Sequence, residues 1–171
     1  HDEFDWDSTQ TPVLADIDWQ GRNRKVMLWA NRNGMFYVID RITGEFMKGQ
    51  PFVKTNWASG FDEKGRPIRV PGIVPTKEGT LAYPGNQGGT NWYSPSYSPR
   101  TGFFYVSAWE NYATIFGGTA VEYQEGRNFG GGVNRPYVAV PGAPTVGLRR
   151  GPINNWTEAA ATGAVLAIDT A

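Results

Sequence analysis

The chain has 171 residues, with 16 Lys plus Arg balanced by 16 Asp plus Glu, so no basic excess exists to draw it to nucleic acid or anionic lipid. It has no Cys and a single His, which removes disulfides, thiol nucleophiles and thiolate zinc sites. Seven Trp, 22 Gly and 12 Pro suit short aromatic strands joined by many tight turns, and argue against disorder.

The chain opens on the acidic cluster Asp2-Glu3-Phe4-Asp5-Trp6-Asp7. In an extended backbone Asp5 and Asp7 would project from one side, with Trp6 opposite. Two carboxylates on one side suit a hard cation or general-base work, and a solvated acidic turn is the competing reading. An EF-hand is excluded, because counting Asp5 as the first ligand puts Gln10 where the loop needs Gly and Asp16 where it needs Glu.

From Val26, VMLWA-NRNG-MFYVID sets two apolar runs around Asn33-Gly34, a strong hairpin signal. Arg41-Ile42-Thr43-Gly44 is a second turn before Glu45-Phe46-Met47, so three strands are predicted to meander here with no helical period. Arg32 lies beside the first turn, where an ordinary surface role competes with a functional one. Residues 60–79 are expected to form a long loop.

In GGTNWYSP, Gly88 and Gly89 allow close backbone approach, and Asn91 either places an amide in a cleft or caps a turn. Next comes SPSYSPRTG before the strand-like FFYVSAW, and near the end ATG precedes AVLAID. The strand ending in Ile-Asp thus recurs imperfectly, with room between the copies for two or three four-stranded antiparallel sheets of propeller size. Such sheets need neighbours stacked on both faces. Residues 117–152 are expected to be a long loop or insertion. Asn155-Trp156-Thr157 fits a glycosylation acceptor, a short pattern given no role.

Neither a dinucleotide fingerprint, a phosphate-binding loop nor a Gly-x-Ser-x-Gly elbow occurs, and a Ser-His-Asp triad has little support. No apolar run is long enough to cross a bilayer, and no secretion signal opens the chain. The opening in mid-motif sets the expectation that the natural start lies elsewhere.

The segments HDEFDWDSTQTPVL, ANRNGMFYVIDRITGEF, PFVKTNWASGFDEKGRPI and GGTNWYSPSYSPRTGFFYVSAWENY resemble, in order, landmarks of the pyrroloquinoline quinone (PQQ) dependent alcohol dehydrogenases. The resemblance covers about the first 115 residues well and GAVLAID more loosely. It implies an all-β fold: two to three blades of an eight-bladed quinoprotein propeller, with residues 1–171 a fragment of that single domain. It further implies PQQ and a calcium or lanthanide ion near the axis, a small alcohol substrate, a cytochrome c-type electron acceptor and a periplasmic location. Carried over by residue, Asp5 matches the catalytic base and a metal ligand, and Asp7 matches an additional ligand. Arg32 matches the residue contacting the quinone carbonyl, and Asn91, with Trp92 next to it, matches the cofactor wall.

The family's adjacent Cys pair, its earlier metal-binding Glu and any haem-attachment motif are missing, and are expected before His1 or after Ala171. The segment alone is therefore expected to be inactive, its remaining blades supplied by the parent chain or another chain. A sugar or polyol dehydrogenase and a non-catalytic propeller scaffold are the alternatives.

Overall fold

The computed structural model describes residues 2–127, 129–137 and 162–170, and among these the regular structure is entirely β. The first sheet is a four-stranded antiparallel meander, β1 (Val13–Trp19), β2 (Arg22–Ala30), β3 (Met35–Asp40) and β4 (Phe46–Pro51). Its alternation is strict on one face. Ala15, Ile17, Val26, Leu28, Ala30, Phe36 and Val38 all point into a single core, as the two-residue period of a strand requires.

The three predicted strands are β2, β3 and β4, and Gly34 takes a φ of 84° in the turn that joins the first two. Around that turn the Gly34 amide donates to the Asn31 carbonyl and the Asn31 amide to that of Met35. Arg32 therefore stands inside the turn. Below the next turn, Asp40 accepts from the backbone amides of Ile42 and Thr43. Strand β1 lies outside the expected strands, since Asp16 and Asp18 interrupt its apolar run.

The stretch 60–79 is not one long loop. Strand β5 (Ala58–Phe61) pairs with β6 (Pro67–Arg69) around a turn in which Asp62 accepts from the amides of Lys64 and Arg66. The strands are too short to show a period in sequence, yet Phe61 seats this hairpin against Tyr37 and Phe46.

The strand expected at FFYVSAW is β9 (Phe103–Glu110); β8 (Ser96–Ser98), which was not expected, pairs with it as a hairpin, and β12 (Thr162–Asp169) pairs along the whole of β9. The two Ile-Asp strands end up in different sheets: β3 lies inside its sheet, β12 at an edge. A third sheet runs β11 (Gly132–Tyr137), β10 (Ala113–Gly118) and β7 (Thr80–Ala82). Within the expected loop 117–152 the described residues thus include the end of β10 and all of β11, while residues 138–161, with Asn155-Trp156-Thr157, lie outside the described residues.

Packing joins the sheets face to face. Phe104, Val106 and Ile168 of the β8–β9–β12 sheet close over the inner face of the first, with Phe36 and Phe104 rings 5.0 Å apart. A second core gathers Phe4, Trp6, Met35, Trp57, Ala82 and Phe116, and so fastens the opening segment to strands from two other sheets. Antiparallel meanders stacked in this way, each burying its neighbour's face, are successive blades of a partial β-propeller.

Candidate functional site

The opening segment is held by its aromatic side chains and by one carboxylate. Asp2 accepts from the amides of Phe4 and Trp6. The Trp6 indole donates to the Gly85 carbonyl at 2.9 Å, and Phe4 stacks on Trp6 and meets Phe116 edge-on. Burial alternates as the sequence suggests, Phe4 and Trp6 inward, Asp5 and Asp7 outward. The backbone, however, is not a regular strand, because Asp5 sits at a φ of 65° and turns the chain.

That turn delivers the Asp5 carboxylate to Arg32, 3.8 Å away. The two differ in setting: the Arg32 side chain is 8% exposed and that of Asp5 68%. Burying a guanidinium is costly unless acceptors satisfy its N–H groups. The Asn86 carbonyl accepts from Arg32 Nη2 at 2.5 Å, while the Arg32 backbone is pinned on both sides, its amide donating to Gln10 Oε1 and its carbonyl accepting from the Gly89 amide. Arg32 Nε is buried and has no hydrogen-bond partner among the described residues.

Asn86 is itself clamped. Its side-chain oxygen accepts from the Tyr112 hydroxyl at 2.7 Å and from the Thr114 hydroxyl at 3.2 Å, and its amide donates to Thr114 Oγ1. Burial pushes the Tyr112 hydroxyl up to about 12, so it stays a donor throughout the ordinary pH range.

Arg32, Gln87, Asn91, Trp92, Tyr93 and Trp109 line a cavity of about 390 Å3. The predicted residues Arg32, Asn91 and Trp92 are thus brought together. Both ends of the Asn91 amide are engaged locally, Nδ2 donating to the Gln87 carbonyl and Oδ1 accepting from the Trp92 amide, so Asn91 caps a turn and walls the cavity at once. The Trp92 ring is 81% exposed at the mouth, and Tyr93 meets Trp109 edge-on.

The metal expectation finds less around it. Asp7 is exposed, and among the described residues no group of three or more His, Cys, Asp or Glu side chains is placed to hold an ion. Asn86, Tyr112, Thr114 and Gln10, which secure Arg32, carry no spacing motif, and only the small-residue run Gly85-Asn86-Gln87-Gly88-Gly89 marks where the backbone approaches closely.

Comparison with known proteins bears on the same elements. The family model described as "PQQ: Glucose/ethanol/alcohol dehydrogenase, beta-propeller domain" matches residues 1–49. The chain is 48% identical over 107 residues to the 1-butanol dehydrogenase (cytochrome c) of Thauera butanivorans, a match covering 63% of this chain and 16% of that protein. The crystal structure of quinohemoprotein alcohol dehydrogenase from Comamonas testosteroni superposes with a TM-score of 0.64 at 39% identity, over 68% of this chain and 17% of that one. A europium-containing methanol dehydrogenase superposes with a TM-score of 0.70 at 32% identity, over 78% and 24%. The chain spans 15 to 16% of the length of its first two curated relatives. With the stacked antiparallel sheets and the ordered landmarks around Asp5, Arg32 and Asn91, these matches make the chain a partial β-propeller similar to that of the PQQ-dependent alcohol dehydrogenases.

Proposed function

We propose that this chain supplies the proton-accepting corner of a quinoprotein that oxidises a primary alcohol and passes the electrons to a cytochrome c-type acceptor in the periplasm. The observation that carries this reading is the Asp5–Arg32 pair: an exposed carboxylate held 3.8 Å from a buried guanidinium that lines an aromatic cavity.

The residues fit a planar quinone. The cavity falls in the size range of small-molecule sites, Trp92, Tyr93 and Trp109 offer flat apolar walls, and the unpartnered Arg32 Nε leaves a buried donor for a ligand oxygen. When bound, the quinone supplies a two-electron acceptor for the hydrogen of the alcohol's carbinol carbon. Asp5 contributes the complementary step. Its carboxylate accepts the hydroxyl proton as the carbon–hydrogen bond breaks, and the aldehyde leaves. Arg32 holds that carboxylate in place between turnovers.

A hard cation takes six to eight oxygen ligands, and Asp5 with Asp7 offers too few for a site built from the described residues alone. A calcium or lanthanide ion would draw its remaining ligands from other parts of the complete protein, so the proton transfer proposed here rests on Asp5 and Arg32. One structural relative is a europium-containing enzyme, which supports the ion, and one curated relative is named for cytochrome c, which supports the acceptor.

Replacing Asp5 by Asn in the complete protein tests the reading. Asn keeps the size and tolerates the left-handed backbone, yet has no carboxylate to take a proton. Dye-linked alcohol oxidation should fall at least ~100-fold with the fold unchanged by circular dichroism. Near-normal turnover would end the assignment.

A further inference from the structure

Thr114 is fully buried on β10, where valine would fill the same space with no hydroxyl to satisfy. Its hydroxyl makes two bonds to one residue. Thr114 Oγ1 accepts from the Asn86 backbone amide at 3.1 Å and donates to the Asn86 side-chain oxygen at 3.2 Å, so one side chain grips Asn86 by its backbone and by its tip. The fit is close on the neighbouring residue too. A Cβ at Gly85 would stand 2.6 Å from Thr114 Oγ1, while the Gly85 amide donates to the Tyr112 carbonyl and its own carbonyl accepts from the Trp6 indole. The Asn86 carbonyl therefore points from a fixed frame.

Two acceptors compete for one nitrogen. Arg32 Nη2 donates to the Asn86 carbonyl at 2.5 Å, and the same Nη2 faces Asp5 Oδ2 at 3.8 Å, beyond hydrogen-bond range. A carboxylate is the stronger acceptor for a guanidinium, so charge alone would draw the pair into a bond of about 2.8 Å. The neutral carbonyl prevails because Thr114 and Tyr112 fix the residue that carries it, whereas the Asp5 side chain is 68% exposed. The Asp5 carboxylate is left clear of the guanidinium. Arg32 Nε, buried and unpartnered among the described residues, remains the donor for a ligand in the aromatic cavity.

We propose that Thr114 is a positioning residue for the quinone site: through Asn86 it holds the Arg32 guanidinium off Asp5 and keeps Nε turned to a quinone oxygen. The inference rests on Arg32 facing a quinone in the aromatic cavity, and it adds what sets the guanidinium there. Thr114 itself touches neither Arg32 nor Asp5 and acts only through Asn86.

Two substitutions separate the hydroxyl from the bulk of the side chain. Thr114→Val keeps the branched shape and deletes both bonds to Asn86, whereas Thr114→Ser keeps the hydroxyl and loses only the methyl. Equilibrium dialysis of PQQ against the complete protein stripped of quinone should show the dissociation constant rising ~10-fold in Thr114→Val and staying within ~2-fold in Thr114→Ser. A crystal structure of Thr114→Val should place Arg32 Nη2 within about 3 Å of an Asp5 carboxylate oxygen. A merely structural role would lower the thermal midpoint and move neither. Tyr112→Phe takes the other hydroxyl from the same Asn86 oxygen and should weaken PQQ binding ~3-fold, so the clamp is tested even where Thr114→Val folds poorly. Unchanged PQQ affinity in Thr114→Val and Tyr112→Phe, equal weakening by Val and Ser, or Nη2 still on the Asn86 carbonyl in Thr114→Val would overturn the assignment. The expected affinities and geometry, found together with an Asp5→Asn protein that still oxidises alcohol, would uphold Thr114 and remove the proton transfer at Asp5.

Discussion

The guanidinium of Arg32 is held by the backbone carbonyl of Asn86, at 2.5 Å, across a gap in sequence that spans the five strands β3 to β7. The link is only as rigid as Asn86, whose side-chain oxygen accepts from the hydroxyls of Tyr112 and Thr114 and whose backbone amide donates to Thr114 Oγ1. Asn86→Ala deprives both buried hydroxyls of this acceptor and should cost about 1–3 kcal/mol in chemical denaturation. Tyr112→Phe removes this donor together with the hydroxyl's hydrogen bond to the Gln87 backbone, and should cost about 1 kcal/mol. An inverted order would place the strength of the clamp elsewhere.

Gly88 approaches Arg32 from the other side. A Cβ built there would stand 2.6 Å from the Arg32 carbonyl oxygen and 2.7 Å from its Cα, and the backbone is at a φ of 84°. Gly88→Ala therefore combines a disfavoured backbone with a clash against main chain, and should destabilise the fold by about 1–3 kcal/mol. It should also weaken quinone affinity, read by equilibrium dialysis, because Arg32 must shift.

Phe116 anchors the segment that carries Asp5. It is buried against Phe4 and Trp6, so Phe116→Ala opens a cavity under both rings and should cost about 3–5 kcal/mol. Limited proteolysis of the variant should cut first within residues 2–10, where the anchored segment loses its seat.

Asp40 predicts a pH dependence. Hydrogen bonds from the Thr43 and Ile42 amides, with Arg24 beside them, hold its carboxyl at about 2, below the ordinary value of about 3.9. A carboxylate depressed in the folded state adds stability that is complete above the unfolded value and is lost as pH falls toward the folded one. Thermal midpoints should therefore drop between about pH 4 and pH 2. Asp40→Asn should be less stable at neutral pH and show a shallower drop across that interval.

The sequence made β2, β3 and β4 legible because Asn33-Gly34 and Thr43-Gly44 punctuate apolar runs, and the same logic found β9 and β12. It did not reveal that β12 pairs with β9 or that Trp6 reaches Gly85, since such partners are chosen by stacking among distant stretches. Arg32 was legible only through the likeness of its motif, as nothing local distinguishes it from a surface turn residue. The clamp around it was hidden for a further reason: Asn86 acts through its carbonyl, a group every residue possesses.

The left-handed backbone at position 5 also governs which acid can stand there. Asp enters this conformation at little cost, whereas the longer Glu is less at home in it and would push its carboxyl past the guanidinium it now faces. An acid-for-acid exchange at this position therefore alters reach and backbone together, while the amide exchange changes charge alone.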